Sequence, residues 1–233
     1  RRANHEPLAY ILGEKAFMRN MFKVTPDTLV PRPETELLVE SIVMAAEAVG
    51  GDVKILDIGT GSGAIIVSLL DYLPQAKGVG VDISVGALTV AKENAVAIGV
   101  AERAGFLRSD VYSALPLDKK FDIIVSNPPY IPAADIAGLA KDVQNEPIGA
   151  LDGGEDGLDF YRRITKEAPL HMVEDGLLAF EIGIYQGEAV AEMCKAAGFG
   201  AVAIRKDYAG IERMVFAAKE GGKYADLLLE IAK

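Results

Sequence analysis

After Asp52 the apolar positions of the chain alternate between two periods. Val53 to Ile58, Gly78 to Ile83, Ala104 to Leu107, Phe121 to Val125 and Leu177 to Ile182 are apolar runs of strand length. Between and after them lie stretches of helical length: Gly63 to Tyr72, a segment opened by Ser84 and running to Ile98, Leu158 to Val173, and Glu188 to Ala197. Strands alternating with helices predict an α/β fold, a doubly wound and mostly parallel sheet with right-handed crossovers. Two further runs, Ala201 to Lys206 and Arg213 to Ala218, stand too close for a crossover and are expected to form an antiparallel pair that completes seven strands.

Upstream the pattern is less regular. Glu6 to Leu12 reads as a short helix closed by Gly13, and Ala16 to Val24 as a β-hairpin turning at Arg19-Asn20. Leu37 to Val49 is an amphipathic helix stopped by Gly50-Gly51. Pro33 suits its first position, with Glu34 and Glu36 favourably placed in the first turn. The organisation expected is a remnant of an N-terminal region over residues 1–32 and a main domain over 33–233. Arg32, between two prolines, either pairs with the acids that follow or lines a pocket.

Two motifs carry chemistry. Asp57-Ile58-Gly59-Thr60-Gly61-Ser62-Gly63 leaves the first strand of the alternating region and opens a helix, where backbone N–H groups can approach a ligand. Gly59, Gly61 and Ala64 also satisfy a loose dinucleotide fingerprint, with Asp82 at a suitable distance to hold a ribose. Against a pyrophosphate, the Asp57 carboxylate before the turn suits a ligand bearing an ammonium, and the third glycine is at 63. S-adenosylmethionine, with its amino-acid tail, ribose and adenine, meets both requirements. Asp82 would accept the ribose hydroxyls, and Asp110 and Tyr112 would flank the adenine.

The second motif is Ser126-Asn127-Pro128-Pro129-Tyr130. Neither proline has an N–H for a sheet ladder, so the preceding strand ends there and leaves Asn127 at its carboxyl tip. The prolines offer carbonyl oxygens with few competing donors, and the Asn127 side chain adds another acceptor. Such acceptors suit an NH2 group on a planar, conjugated substrate, with Tyr130 as a packing face. The plain alternative is a Pro-rich strand exit beside a surface tyrosine.

Composition narrows the classes. The 233 residues carry a net charge of −10, a poor match to a nucleic-acid backbone. Cys194 is the sole cysteine, so no intrachain disulfide forms, and a reducing, cytoplasmic setting is expected. No run approaches membrane-spanning length. The chain opens on Arg1-Arg2 without a methionine, as a fragment or processed form would. The loop from Ile131 to Gly157 is too long to be structureless and is expected to form a lid or substrate wall. Its acids Asp152, Glu155, Asp156 and Asp159 lack calcium-loop spacing, and His5 and His171 have no partners that would make them ligands.

The glycine loop, Asp82 and Asn127 to Tyr130 together resemble the class I, S-adenosylmethionine-dependent N-methyltransferases, with their Rossmann-like fold. A wider set is similar to the HemK (PrmC) family of release-factor glutamine methyltransferases: Glu6 to Gly13, Val30 to Glu36, Glu146-Pro147 with Ala150-Leu151, Gly153-Gly154 and Asp156-Gly157-Leu158, and Arg205 to Gly210 with Arg213. Relatives often carry Arg two residues before Glu146, where this chain has Gln144. The resemblance spans essentially the whole chain and implies that 33–233 is the methyltransferase domain, preceded in the family by a small helical domain. It implies methylation of the glutamine amide in the Gly-Gly-Gln loop of peptide chain release factors, acting in translation termination. Asn127, Pro128 and Tyr130 would be catalytic, with Pro129 in the substrate site. Asp57, Gly59, Thr60, Gly61, Ser62, Gly63, Asp82, Asp110, Tyr112 and Asn127 would hold the cofactor. Other readings of the same residues are transfer to a ribosomal-protein glutamine or to adenine in DNA, and, more remotely, a dinucleotide-binding oxidoreductase.

Overall fold

The computed structural model describes residues 1–50 and 52–231, so the Gly51 half of the expected helix stop lies outside the described residues. In chain order the elements are α1 (Leu8–Leu12), β1 (Glu14–Phe17), β2 (Asn20–Lys23), α2 (Pro33–Ala48), β3 (Lys54–Ile58), α3 (Ala64–Tyr72), β4 (Lys77–Asp82), α4 (Val85–Ile98) and β5 (Ala104–Arg108). They continue with β6 (Phe121–Ser126), α5 (Lys141–Gln144), α6 (Asp159–His171), β7 (Met172–Glu181), α7 (Gly187–Ala196), β8 (Ala201–Lys206), β9 (Glu212–Ala218) and α8 (Leu228–Ile231).

The seven strands expected from the pattern form one sheet in the order β5-β4-β3-β6-β7-β9-β8. Strands β5 to β7 run parallel, and β9 pairs antiparallel with both β7 and β8. Successive side chains of a strand face opposite sides, and both sides here are covered. Ile55, Ile123, Val125, Leu177, Ala179 and Phe216 join the layer formed with α2, α3 and α4. Leu56, Ile124, Leu178, Phe180 and Val215 join the layer under α6 and α7. Burial on both faces is why these strands read as continuous apolar runs rather than alternating ones.

Several boundaries differ from the expected ones. Strand β7 begins at Met172 directly after α6, and its pairing with β6 shifts register between Phe121 and Ile123. The hairpin turns one residue earlier, through Met18 and Arg19, since Phe17 pairs with Asn20. Side chains of α2 and α3 hold that turn in place. The Glu36 carboxylate accepts from the Met18 N–H at 2.8 Å, and Arg19 donates to Asp71 at 2.7 Å. Pro33 does open α2, with Arg32 extended before it, and Ser84 caps α4 by accepting from the Ala87 N–H. Helix α8 was not expected. Leu228 and Ile231, with Tyr224 before them, are buried in the α2–α3 layer.

Phe17 and Phe22 meet edge to face at 5.8 Å and belong to that same layer, so the hairpin shares the main core. Phe22→Ala should therefore lower global stability by about 3–5 kcal/mol in a single urea transition. A separate early transition for the hairpin would show that it folds apart from the sheet.

Candidate active site

Strand β4 lies on one side of β3 and β6 on the other, so the chain changes winding direction between β3 and β6. Ligands of open α/β sheets bind outside the carboxyl ends of strands at such a point. The glycine turn leaves β3 there and Asn127 leaves β6. The N–H groups of Gly59 and Thr60 both donate to the Val81 carbonyl, at 2.9 and 3.0 Å, which ties the turn to β4. Gly59, Gly61 and Gly63 all adopt positive φ, and a Cβ at Gly63 would lie 3.1 Å from that of Ala91. Glycine is needed there for conformation and for the approach of α4.

A cavity of about 290 Å³ opens over this turn. Of the residues expected to hold a cofactor, Gly59, Gly61, Asp82, Asp110 and Asn127 line it. Each Asp82 oxygen accepts one backbone N–H, from Gly61 and from Ser84, both at 2.9 Å. A carboxylate oxygen has two lone pairs, so Asp82 can fix the turn and still accept ribose hydroxyls. Asp110 is exposed and paired with Arg163 at 2.7 Å.

Five expected residues stand elsewhere. Asp57 is fully buried beneath the turn, where one oxygen accepts the Thr60 hydroxyl at 2.6 Å; Thr60, Ser62 and Gly63 also lie behind the lining. The expectation that Tyr112 flanks the ligand is corrected. Val111 takes a positive φ of 53°, rare for a β-branched residue, and the chain turns Tyr112 into the core. Its ring stacks on His171 at 4.6 Å, and its hydroxyl donates to the Ile164 carbonyl at 3.2 Å. Val111 takes the place in the lining.

A second cavity, of about 230 Å³, shares Leu29, Asn127, Pro128 and Ala150 with the first and is completed by Arg32, Tyr130, Ile131, Val143, Leu151 and Glu181. Asn127 and Pro128 thus form a wall between two chambers. The Asn127 Nδ2 donates to the Thr35 hydroxyl at 3.2 Å, and that hydroxyl donates to Glu181 at 2.6 Å. This use of the NH2 leaves Oδ1 as the free acceptor of the amide. No donor among the described residues reaches the Pro128 carbonyl. Burial pushes the Tyr130 hydroxyl up to about 12, so it remains neutral.

Both alternatives for Arg32 hold in part. It lines the second cavity, and it pairs with an acid, but the acid is the buried Glu146 rather than one in α2. Glu146 also accepts the Val30 N–H at 2.9 Å, so the segment before α2 and the long loop close on the same carboxylate. The loop contains α5 and a bridge from Ile131 to Asp152, and Gln144 holds it internally through the carbonyls of Ala137 and Leu139. A Cβ at Gly153 would lie 2.8 Å from the Pro129 carbonyl oxygen and the Tyr130 Cα, so glycine lets the loop lie against the motif. Thr35 and Glu181 escaped the sequence reading. Thr35 passed as first-turn helix chemistry, and Glu181 as the end of an apolar strand.

The first chamber fits S-adenosylmethionine by its chemistry. Two carboxylates sit under or beside the glycine turn, and Asp57 Oδ1 is buried with no partner among the described residues. A ligand bearing positive charge would relieve that imbalance. The sheet order, glycine turn and divided chamber define a methyltransferase. In agreement, the methyltransferase small domain family matches residues 33–142. The chain is 46% identical to a release factor glutamine methyltransferase of Cereibacter sphaeroides over 93% of its own length and 76% of that protein's. It is 29% identical to the crystal structure of a release-factor-specific protein-(glutamine-N5) methyltransferase from Alicyclobacillus acidocaldarius, at a TM-score of 0.51, covering 85% of this chain and 99% of that one. A T. thermophilus 16S rRNA methyltransferase in complex with AdoMet and guanosine shares the fold, with a TM-score of 0.63, 22% identity and coverage of 88% and 49%. The chain belongs to the release factor glutamine methyltransferase family.

Burial pushes the Asp57 carboxyl up to about 7 and does the same to Glu181. Such an acid stays protonated in the native state where the unfolded chain has already released its proton. The contribution of each group to stability is therefore fully present below the ordinary value near 4 and is lost as pH rises to about 7, by at most about 1.4 kcal/mol per pH unit. The ligand-free protein should melt at lower temperature at about pH 7 than at about pH 5, with a shallower slope in Asp57→Asn. Scanning calorimetry at matched ionic strength measures this, and a midpoint rising over that interval would contradict the assignment.

Proposed function

We propose that the chain methylates the side-chain amide of the glutamine in the Gly-Gly-Gln loop of peptide chain release factors, with S-adenosylmethionine as donor. The observation that carries this reading is the wall between the chambers, in which Asn127 and Pro128 offer acceptors to whatever enters from the second side. Family membership supports the substrate class.

S-adenosylmethionine, when bound, supplies a methyl group activated by a sulfonium. Asp82 would hold the ribose, the backbone of the glycine turn, its N–H groups tied to Val81 and Asp82, would lie against the amino-acid tail, and Ile83, Ala87 and Val111 would give the adenine an apolar bed. On the other side, the Asn127 Oδ1 and the Pro128 carbonyl would accept the two N–H bonds of the glutamine amide, with Tyr130 packed against its plane. An amide nitrogen is a weak nucleophile because its lone pair is delocalised. Gripping both hydrogens fixes the nitrogen toward the shared wall and stabilises positive charge as it develops. No base is needed beforehand, since the amide is too weak an acid to give up its proton first and releases it readily after alkylation. The net charge of −10 disfavours a nucleic-acid substrate.

Asn127→Ala should reduce kcat toward a purified release factor by about 100-fold or more, a larger change than it makes in S-adenosylhomocysteine binding measured by calorimetry. Asp82→Ala should instead weaken that binding by about tenfold or more. Replacing the acceptor glutamine should abolish labelling. Methyl transfer to DNA in place of the release factor, or transfer indifferent to Asn127→Ala, would overturn the reading.

A further inference from the structure

Glu181, at the carboxyl end of β7, is 2% exposed and lines the acceptor chamber, yet the chemistry above gives it no task. Its surroundings come from every neighbouring element. Thr35 and Glu34 face it from α2, Arg213 from β9, Asn127 and Tyr130 from the β6 exit, and Arg32 from across the chamber. On α6, the Tyr161 hydroxyl donates to the Glu181 backbone carbonyl at 2.9 Å. Arg213 is itself paired with Asp207 at 3.2 Å.

The Thr35 hydroxyl stands between the Glu181 carboxylate and the Asn127 amide, and it has one proton to donate. When Glu181 is ionised it can only accept. Thr35 must then direct its proton to Glu181 and accept from the Asn127 NH2, which leaves Oδ1 to the chamber. When Glu181 is protonated, its O–H can donate to Thr35. The hydroxyl proton is then free to seek an acceptor, and the amide, once turned over, would offer Asn127 Oδ1 in the place its NH2 now holds. A turned amide would present NH2 to an incoming NH2, donor against donor.

We propose that Glu181 is a positioning residue: through Thr35, its carboxylate sets which end of the Asn127 amide faces the substrate. This rests on the acceptor role given to Asn127 above. Burial holds the Glu181 carboxyl near neutrality, offset in part by Thr35, Arg213 and Asn127, so the setting is sensitive to pH in the working range.

Two measurements on the full chain test this. The first needs no substrate. The side-chain ¹⁵N–¹H signals of Asn127, assigned by their loss in Asn127→Ala, are followed by NMR as pH is taken across neutrality. They should shift with a midpoint near 7 in the parent and in Thr35→Ser, and should lose that titration in Glu181→Gln. The second is kcat for methyl transfer to a release factor. The parent and Thr35→Ser should lose activity below the same midpoint. Thr35→Val should lose about 10- to 100-fold in kcat and its acid limb, with KM for S-adenosylmethionine unchanged within about twofold. Asn127 signals that do not titrate, titration persisting in Glu181→Gln, or Thr35→Val with the parent's kcat and acid limb would each overturn the proposal. A parent that shows the NMR titration but methylates no release factor would remove the proposed substrate and leave the Glu181–Thr35–Asn127 coupling standing.

Discussion

Three carboxylates taken out of water hold the working edge of this sheet together. Asp57, Glu146 and Glu181 are all buried, and a buried acid needs donors or a proton. The donor for Asp57 is local, in the glycine turn, whereas Glu146 and Glu181 draw theirs from far up the chain, from the segment preceding α2 and from the first turn of α2. Each loop of the site is therefore pinned to a buried acid that would be costly to leave without a partner. The geometry around Asn127 follows from these anchors as much as from the strand that carries it.

The fold was legible because its cause is local. Strands covered on both faces announce themselves as apolar runs, and Pro33, Ser84 and the paired prolines punctuate the chain through backbone constraints that operate regardless of context. The antiparallel closing pair could be read from the short span between its strands. Helix α8 was missed because four residues make too little periodicity to register. Its burial depends on a surface assembled by α2 and the sheet.

At the site, the division falls between backbone and side chain. Gly59, Gly61, Asp82 and Asn127 could be placed at one cavity from the sequence because they sit at strand ends, where sheet topology brings ligands. Tyr112 was misplaced because its direction depends on Val111 crossing into positive φ, and nothing in a valine signals that. Glu146 meets Arg32 across 114 positions, and Thr35 meets Glu181 across 146. Pairings of that span come from tertiary structure, and a single chain read in order carries no trace of them.

The two chambers meet along a shared lining. None of the four residues common to both sides, Leu29, Asn127, Pro128 and Ala150, has a side chain able to carry a methyl group as a covalent way-station. On the proposed reaction the group would pass straight from one occupant to the other in a single displacement with both present at once. An isotopically chiral methyl would then emerge with its handedness reversed, and the kinetics would follow a sequential rather than a ping-pong pattern.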